Sequence, residues 1–167
     1  MPENIVYYFG YGQYHSLEMM QAVTGNENLT GRETILEGYE LCIQTIDDIP
    51  DIPKKILEKT WGDKLPSFRA YAIRPKEDSQ VKGTLYPLTE TETDLVLNYE
   101  MVELGWHHEQ EVLVPSPSGL GKTNAITETL EEGQTISSVT DGFDYEDYLN
   151  DKEITLNGAE KERDKYL

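Results

Sequence analysis

The chain predicts a domain that mixes strands and helices, and three observations carry that expectation. A β-branched and aromatic run, Ile5-Val6-Tyr7-Tyr8-Phe9, stops at Gly10-Tyr11-Gly12 and gives way to a helical pattern, so the period of the apolar residues switches from 2 to 3.6 within a few positions. Two further runs of strand composition, Phe68 to Ile73 and Val81 to Tyr86, stand directly before Thr89, where the clearest helix signal begins. With 167 residues, of which 37% are hydrophobic and 10% aromatic, the chain is large enough to bury one core and suits a single domain over 1–167.

Each element follows from its own local signals. The strand Ile5 to Phe9 ends in glycines that permit a tight, unusual backbone path. Ser16 reads as an N-cap for a helix that carries Leu17, Met20 and Val23 on one side and closes at Thr24-Gly25-Asn26. Thr34 to Ile46 predicts one or two strands bent at Gly38, with Tyr39, Leu41, Ile43 and Thr45 on the face opposite Cys42 and Gln44. The acidic, proline-containing segment Asp47 to Pro53 predicts a loop or linker, and Lys54 to Lys59 a short helical turn. Phe68 to Ile73 and Val81 to Tyr86 read as a hairpin joined across Pro75-Lys76-Glu77-Asp78-Ser79. Thr89 and Glu92 have capping-box spacing, and Leu95, Tyr99 and Val102 fall on one face of the helix that follows. Trp106 to Val114 returns to strand character before a turn at Pro115 to Gly119. Beyond Glu146 the signal weakens to short acidic helices flanking Gly158.

Charge excludes whole classes of partner. Fourteen basic side chains stand against 32 acidic ones, a formal charge of −18 and a pI near 4.4. Such a polyanion is repelled by nucleic-acid phosphates and by anionic lipid, and no Lys/Arg cluster interrupts it, so phosphate-backbone binding is not expected. The acidity is densest in residues 127–167, which carry 12 acids against 4 bases. No apolar run reaches the length of a membrane span, and Met1-Pro2-Glu3-Asn4 lacks the basic start of a signal peptide, which leads to the expectation of a cytoplasmic protein without a membrane partner. The single cysteine, Cys42, has no partner for an internal disulfide and suits a reducing compartment.

Most apparent motifs dissolve on inspection. Ser116 to Thr123, SPSGLGKT, nearly matches a phosphate-binding loop, but Ser116 occupies the first glycine position and little apolar chain follows to build the required parallel sheet. His107 and His108 are neighbours in a predicted strand, so they face opposite ways and do not share a metal; no metal site is expected. His15 reads as solvated or hydrogen-bonded, and Cys42 as a small buried hydrophobe without a base beside it. The acids around Asp141-Gly142-Phe143-Asp144 lack calcium-loop spacing. Two features remain. Tyr11-Gly12-Gln13-Tyr14, at the end of the first strand, is placed where successive amides can form a nest for a carboxylate or oxyanion. Glu100, in LVLNYEMVE, sits at the edge of an apolar stripe, where burial would raise its pKa into the range of a general base.

Taken in order, these pieces resemble the γ-glutamylcyclotransferase family and its AIG2-like relatives. YYFGYGQYHSLEMM (Tyr7 to Met20) occupies the place of the family's strand ending in Tyr-Gly-Ser-Asn and its methionine-containing helix. Leu36-Glu37-Gly38-Tyr39-Glu40-Leu41 matches a following L-x-G-Y-x-L strand. GTLYPLT (Gly83 to Thr89), Asn98-Tyr99-Glu100 and Trp106 match the family's G-x-x-Y-x-L-T, helix end and next strand. Gly158-Ala159-Glu160-Lys161 looks like its closing helix. The resemblance implies an α+β fold, a mixed barrel-like sheet with flanking helices, and release of 5-oxoproline from a γ-glutamyl amine or peptide without metal or organic cofactor. It carries the catalytic glutamate onto Glu100 and the substrate-cradling loop onto Tyr11, Gly12, Gln13 and Tyr14. Gln13 and Tyr14 depart from the family's Ser-Asn, which alters the shape of the pocket. A different expectation from the charge alone is a binding protein of this fold that engages a basic protein partner through its acidic surface.

Overall fold

The computed structural model describes residues 4–99, 105–142 and 152–166, and its centre is the first strand. β1 (Ile5–Gly10) lies between β3 (Arg69–Thr89), to which it is antiparallel, and β5 (Lys122–Leu130), to which it is parallel. β2 (Arg32–Thr45) pairs with β3, β4 (His107–Pro115) with β5, and the short β6 (Ser138–Val139) with β2, giving the order β4-β5-β1-β3-β2-β6. The sheet curls far enough for β2 and β4 to touch. Lys122 meets Glu37 at 3.8 Å and Arg32 donates to the Pro117 carbonyl at 2.6 Å across that seam. The result is a half-barrel with helices around it, the α+β architecture expected from the resemblance.

Helices α1 (Leu17–Thr24), α3 (Glu90–Tyr99) and α4 (Lys152–Tyr166) pack on one another, around a cluster that includes Tyr8, Tyr14, Met19, Met20, Tyr86, Leu88 and Val96. The concave interior holds Phe9, Tyr11, Leu36, Leu41, Ile73 and Val81, and α2 (Asp51–Trp61) places its Leu57 and Trp61 in a third cluster with Phe68 and Trp106. Each fully buried side chain of this size contributes about 1.5–3 kcal/mol. No helix among the described residues is long and apolar enough to cross a membrane.

Where local signals decide, the elements stand as read. Ser16 caps α1 by accepting from the Met19 amide, and α1 closes at Gly25. The Thr89–Glu92 capping box is complete, with the Thr89 amide 2.9 Å from Glu92 and the Glu92 amide 3.1 Å from Thr89 Oγ1. β2 bends at Gly38, whose φ of 86° suits a residue without a side chain. Val102 and Glu100 lie outside the described residues.

Three expectations need correction. Asp51 to Pro53 is not a loop but the first turn of α2, because the first four amides of a helix lack intrahelical partners and a proline there removes no bond. Phe68–Ile73 and Val81–Tyr86 do not form a hairpin with each other; Arg69–Ile73 and Val81–Leu85 both belong to β3 and pair with β2 in one direction, Leu41 opposite Ile73 and Leu36 opposite Val81. Residues 76–79 form an excursion opposite Gly38 rather than a reversal. Leu17 faces outward, while Met19, Met20 and Val23 form the buried side of α1.

Two stability predictions arise here. Gly158, expected between two short helices, instead sits inside the single helix α4, and a methyl group on it would stand 3.5 Å from the Tyr99 hydroxyl and 3.8 Å from Thr60, ordinary contact distances. Gly158→Ala is therefore expected to stabilise the fold by about 0.5–1 kcal/mol, seen as a higher denaturant midpoint at unchanged slope. Asp48 ties the chain before α2 to the segment ahead of β6, accepting from the Thr45 amide (2.9 Å), Thr135 Oγ1 (2.8 Å) and Ser137 Oγ (2.5 Å). Burial pushes its carboxyl up, but the bonds from Ser137, the Thr45 amide, Thr135 and the Thr45 hydroxyl outweigh it and hold the group below 3.8. With the folded-state value below the unfolded one, this stabilisation is complete above the unfolded value and is lost as pH falls through the lowered one. Asp48→Asn should lower stability at neutral pH by about 1 kcal/mol and flatten its fall in acid, as followed by denaturant unfolding from pH 7 to 2.

Candidate functional site

The loop after β1 is shaped by two close approaches. A Cβ on Gly10 would stand 2.6 Å from the Tyr14 carbonyl oxygen and 2.9 Å from Tyr14 Cβ, so the chain folds back directly over the end of the strand. Gly12, at φ +61°, leaves only 2.8 Å to Tyr71 Cβ of β3. Both a left-handed backbone and the lack of a side chain are needed there. The turn Gly12–His15 is a 3-10 turn, and the Tyr14 amide donates to the Tyr11 carbonyl at 3.1 Å.

Side chains from the neighbouring strands pin this loop. Tyr86 of β3 donates its hydroxyl to the Tyr14 carbonyl at 2.7 Å, and Thr84 donates to the His15 carbonyl at 3.3 Å. Burial pushes the Tyr86 phenol well above its ordinary pKa, with the Thr84 side chain pulling the other way, so it remains a donor at neutral pH. From β5, Thr127 Oγ1 donates to the Phe9 carbonyl at 2.9 Å, and Tyr11 donates its hydroxyl to the Glu128 main-chain oxygen at 2.8 Å.

The candidate residues divide. Tyr11 and Tyr14, 4% and 2% exposed, turn their rings into two different parts of the core: Tyr11 beside Phe9 and Leu36, Tyr14 beside Tyr8, Met20 and Tyr86. The bulk of Tyr14 thus fills the interior next to α1. Gly12 is buried between the turn and Tyr71. Gln13 belongs to the turn, and its side chain is outside what the structure describes. Glu100, also outside the described residues, directly follows Tyr99, the last residue of α3. α3 starts from the end of β3, where Thr89 pairs with Ile5, and packs against β1, α1 and α4.

One ionisable residue escaped the sequence reading. Glu128, in β5, is 1% exposed and its carboxylate accepts the Tyr8 hydroxyl, between the equally buried Thr127 and Thr129. Its strand, KTNAITETL, hides a buried face behind polar letters. The cue available was its density of threonine and isoleucine, which favour strands.

The remaining motifs resolve into structural roles. SPSGLGKT forms the turn between antiparallel β4 and β5, closed by the Gly119 amide on the Ser116 carbonyl at 2.9 Å. A strand follows it instead of the helix a phosphate loop requires. His107 is buried and stacks on Trp106 with ring centroids 4.3 Å apart, whereas His108 faces outward to Glu131 at 3.6 Å. Cys42 is buried and its thiol is pushed up to about 11 by burial, far from a reactive thiolate. Among the described residues no three His, Cys, Asp or Glu side chains gather as a metal site. An open cleft of about 610 Å³ lies at the seam of the half-barrel, lined by Tyr39, Glu37, Glu111, Leu113 and Lys122, away from the loop residues.

A curled six-stranded sheet with a glycine loop leaving its central strand and a capped helix leaving the neighbouring one defines the γ-glutamylcyclotransferase-like fold, and the chain has it. The chain is similar to a solved γ-glutamyl cyclotransferase over 95% of its own length and 80% of that protein's, with a TM-score of 0.61 at 15% identity. An uncharacterised protein from Homo sapiens matches 82% of the chain and 71% of its own, with a TM-score of 0.60 at 16% identity. A protein from Arabidopsis thaliana matches 98% and 89%, with a TM-score of 0.55 at 13% identity. Identities this low establish the fold alone. No family model matches the sequence, and no curated protein matches it.

Proposed function

We propose that the chain is a γ-glutamylcyclotransferase-like enzyme that releases 5-oxoproline from a γ-glutamyl amine or peptide, with Glu100 as its acid and base. What supports this reading is the conjunction of the fold with the Gly10–His15 loop held at the end of β1 and with α3, whose last residue, Tyr99, directly precedes Glu100 in the sequence. The substrate carries its own nucleophile. Its α-amino nitrogen attacks the γ-carbonyl carbon, closing a five-membered ring, and the carbonyl oxygen takes the negative charge. Glu100 removes a proton from the attacking nitrogen, then delivers it to the leaving nitrogen as the original C–N bond breaks, so that one free amine and one 5-oxoproline form. The reaction is intramolecular, and the enzyme's contribution is positioning, worth up to about 7–11 kcal/mol in well-oriented systems, with proton transfer and amide donors to the oxyanion adding to it. The loop's part is to hold the γ-glutamyl group.

The test is a panel of γ-glutamyl dipeptides and amines incubated with the protein and assayed for 5-oxoproline and free amine by mass spectrometry, with Glu100→Gln in parallel. Equal amounts of the two products from at least one member are expected. No product from any member, or product formation indifferent to Glu100→Gln, overturns the assignment.

A further inference from the structure

Glu128 has no part in the reaction just described, yet it carries a carboxylate in the interior of the fold, 1% exposed. A carboxyl group taken out of water costs free energy unless its surroundings replace the lost hydration. A leucine would fill such a site more cheaply.

Its contacts lead toward one place. The carboxylate accepts the Tyr8 hydroxyl, and the Tyr8 ring meets Tyr14 edge-on, centroids 6.0 Å apart at 81°. The Glu128 main-chain oxygen takes the Tyr11 hydroxyl at 2.8 Å, and its neighbour Thr127 holds the Phe9 carbonyl at 2.9 Å. Two residues of β5 thus grip the end of β1, the first residue of the loop and, through Tyr8, the ring of Tyr14. The alignment needs such a grip, because the parallel pairing of β1 with β5 is registered at a single pair, Tyr8 opposite Ile126. An isolated parallel contact with so short a ladder resists sliding poorly.

We propose that Glu128 is a positioning residue of the site: its carboxylate, through Tyr8, sets the pose of the Tyr11–Tyr14 loop. Its effect on turnover rests on the cyclotransferase reading, whereas its effect on the loop does not. A purely structural bond and a positioning bond differ in one respect. Removing both partners together relieves the unpaired polar group and restores stability, but it does not restore the pose.

The decisive variant is therefore Glu128→Leu combined with Tyr8→Phe, compared with Tyr8→Phe alone and Glu128→Gln. Three measurements apply to each: thermal midpoint, amide hydrogen exchange of residues 11–15, and kcat and KM on the best γ-glutamyl dipeptide. The double variant should melt close to the parent, exchange its loop amides at least about tenfold faster, and lose about a hundredfold in kcat with KM within about threefold. Glu128→Gln keeps an acceptor for Tyr8 and should retain loop protection and most of the turnover. Tyr8→Phe, which deletes only a hydroxyl and answers the question should the double variant fail to fold, should loosen the same amides. Loop exchange unchanged in a folded double variant, or in Tyr8→Phe, overturns the proposal. A parent protein that yields no 5-oxoproline overturns the functional reading alone, and the exchange data still decide the role of Glu128.

Discussion

Gly83→Ala is expected to lower the thermal midpoint by roughly 10 °C. The reason is space. A Cβ at Gly83 would lie 2.5 Å from Phe9 Cζ, 2.6 Å from the Gly10 carbonyl oxygen and 2.7 Å from Phe9 Cε1. Phe9 is fully buried among the side chains of the concave core, and the Gly10 carbonyl is backbone of the strand that leads into the loop. β1 and β3 must therefore separate at the Gly10–Thr84 pair, or Phe9 must leave its rotamer. Overpacking of this kind costs about 3 kcal/mol, and for a chain of this length each kcal/mol moves the midpoint by about 2–4 °C. Differential scanning calorimetry of Gly83→Ala beside Gly158→Ala gives the contrast: one methyl where nothing fits, one where there is room. A Gly83→Ala midpoint within about 2 °C of the parent would show that β1 and β3 yield easily.

The same glycine shows what kind of information the sequence holds. Gly83 was legible as part of GTLYPLT, but its reason, the approach of Phe9 from another strand, is a tertiary fact. Elements governed by neighbours within four residues were readable: Ser16 and Gly25 around α1, the Thr89–Glu92 box, the bend at Gly38. Elements whose partners are distant were not. The excursion at residues 76–79 carries every letter of a reversing turn, and only the common pairing of both flanks with β2 reveals that the chain runs straight on. β5 does not show as a strand in the sequence because its buried residues include Thr127, Glu128 and Thr129, and the partners of the first two, the Phe9 carbonyl and the Tyr8 hydroxyl, lie on another strand that no hydropathy pattern connects to them. For the candidate site, the place of the Tyr11–Tyr14 loop was legible from its glycines. The direction of the two tyrosine rings was not, since an aromatic beside a glycine turn faces a ligand or the core with equal ease, and here both enter the core.

Glu100→Gln is expected to reduce kcat for 5-oxoproline release by about 10²- to 10⁴-fold, with KM and thermal midpoint nearly unchanged. The proposed reaction needs one proton moved twice, off the attacking nitrogen and onto the leaving one, and a carboxamide does neither while matching the carboxylate in shape. The loss should fall on kcat and kcat/KM alike, because the lost interaction exists only in the transition state. Glu128→Gln provides the internal contrast. It makes the same chemical change in β5 but leaves Tyr8 an acceptor, so turnover persists there and vanishes at Glu100. The opposite pattern, with Glu100→Gln raising KM at constant kcat, would assign Glu100 to uniform substrate binding and move the proton transfer to another group. Steady-state rates of the two variants on one γ-glutamyl dipeptide, in the same buffer, separate these cases.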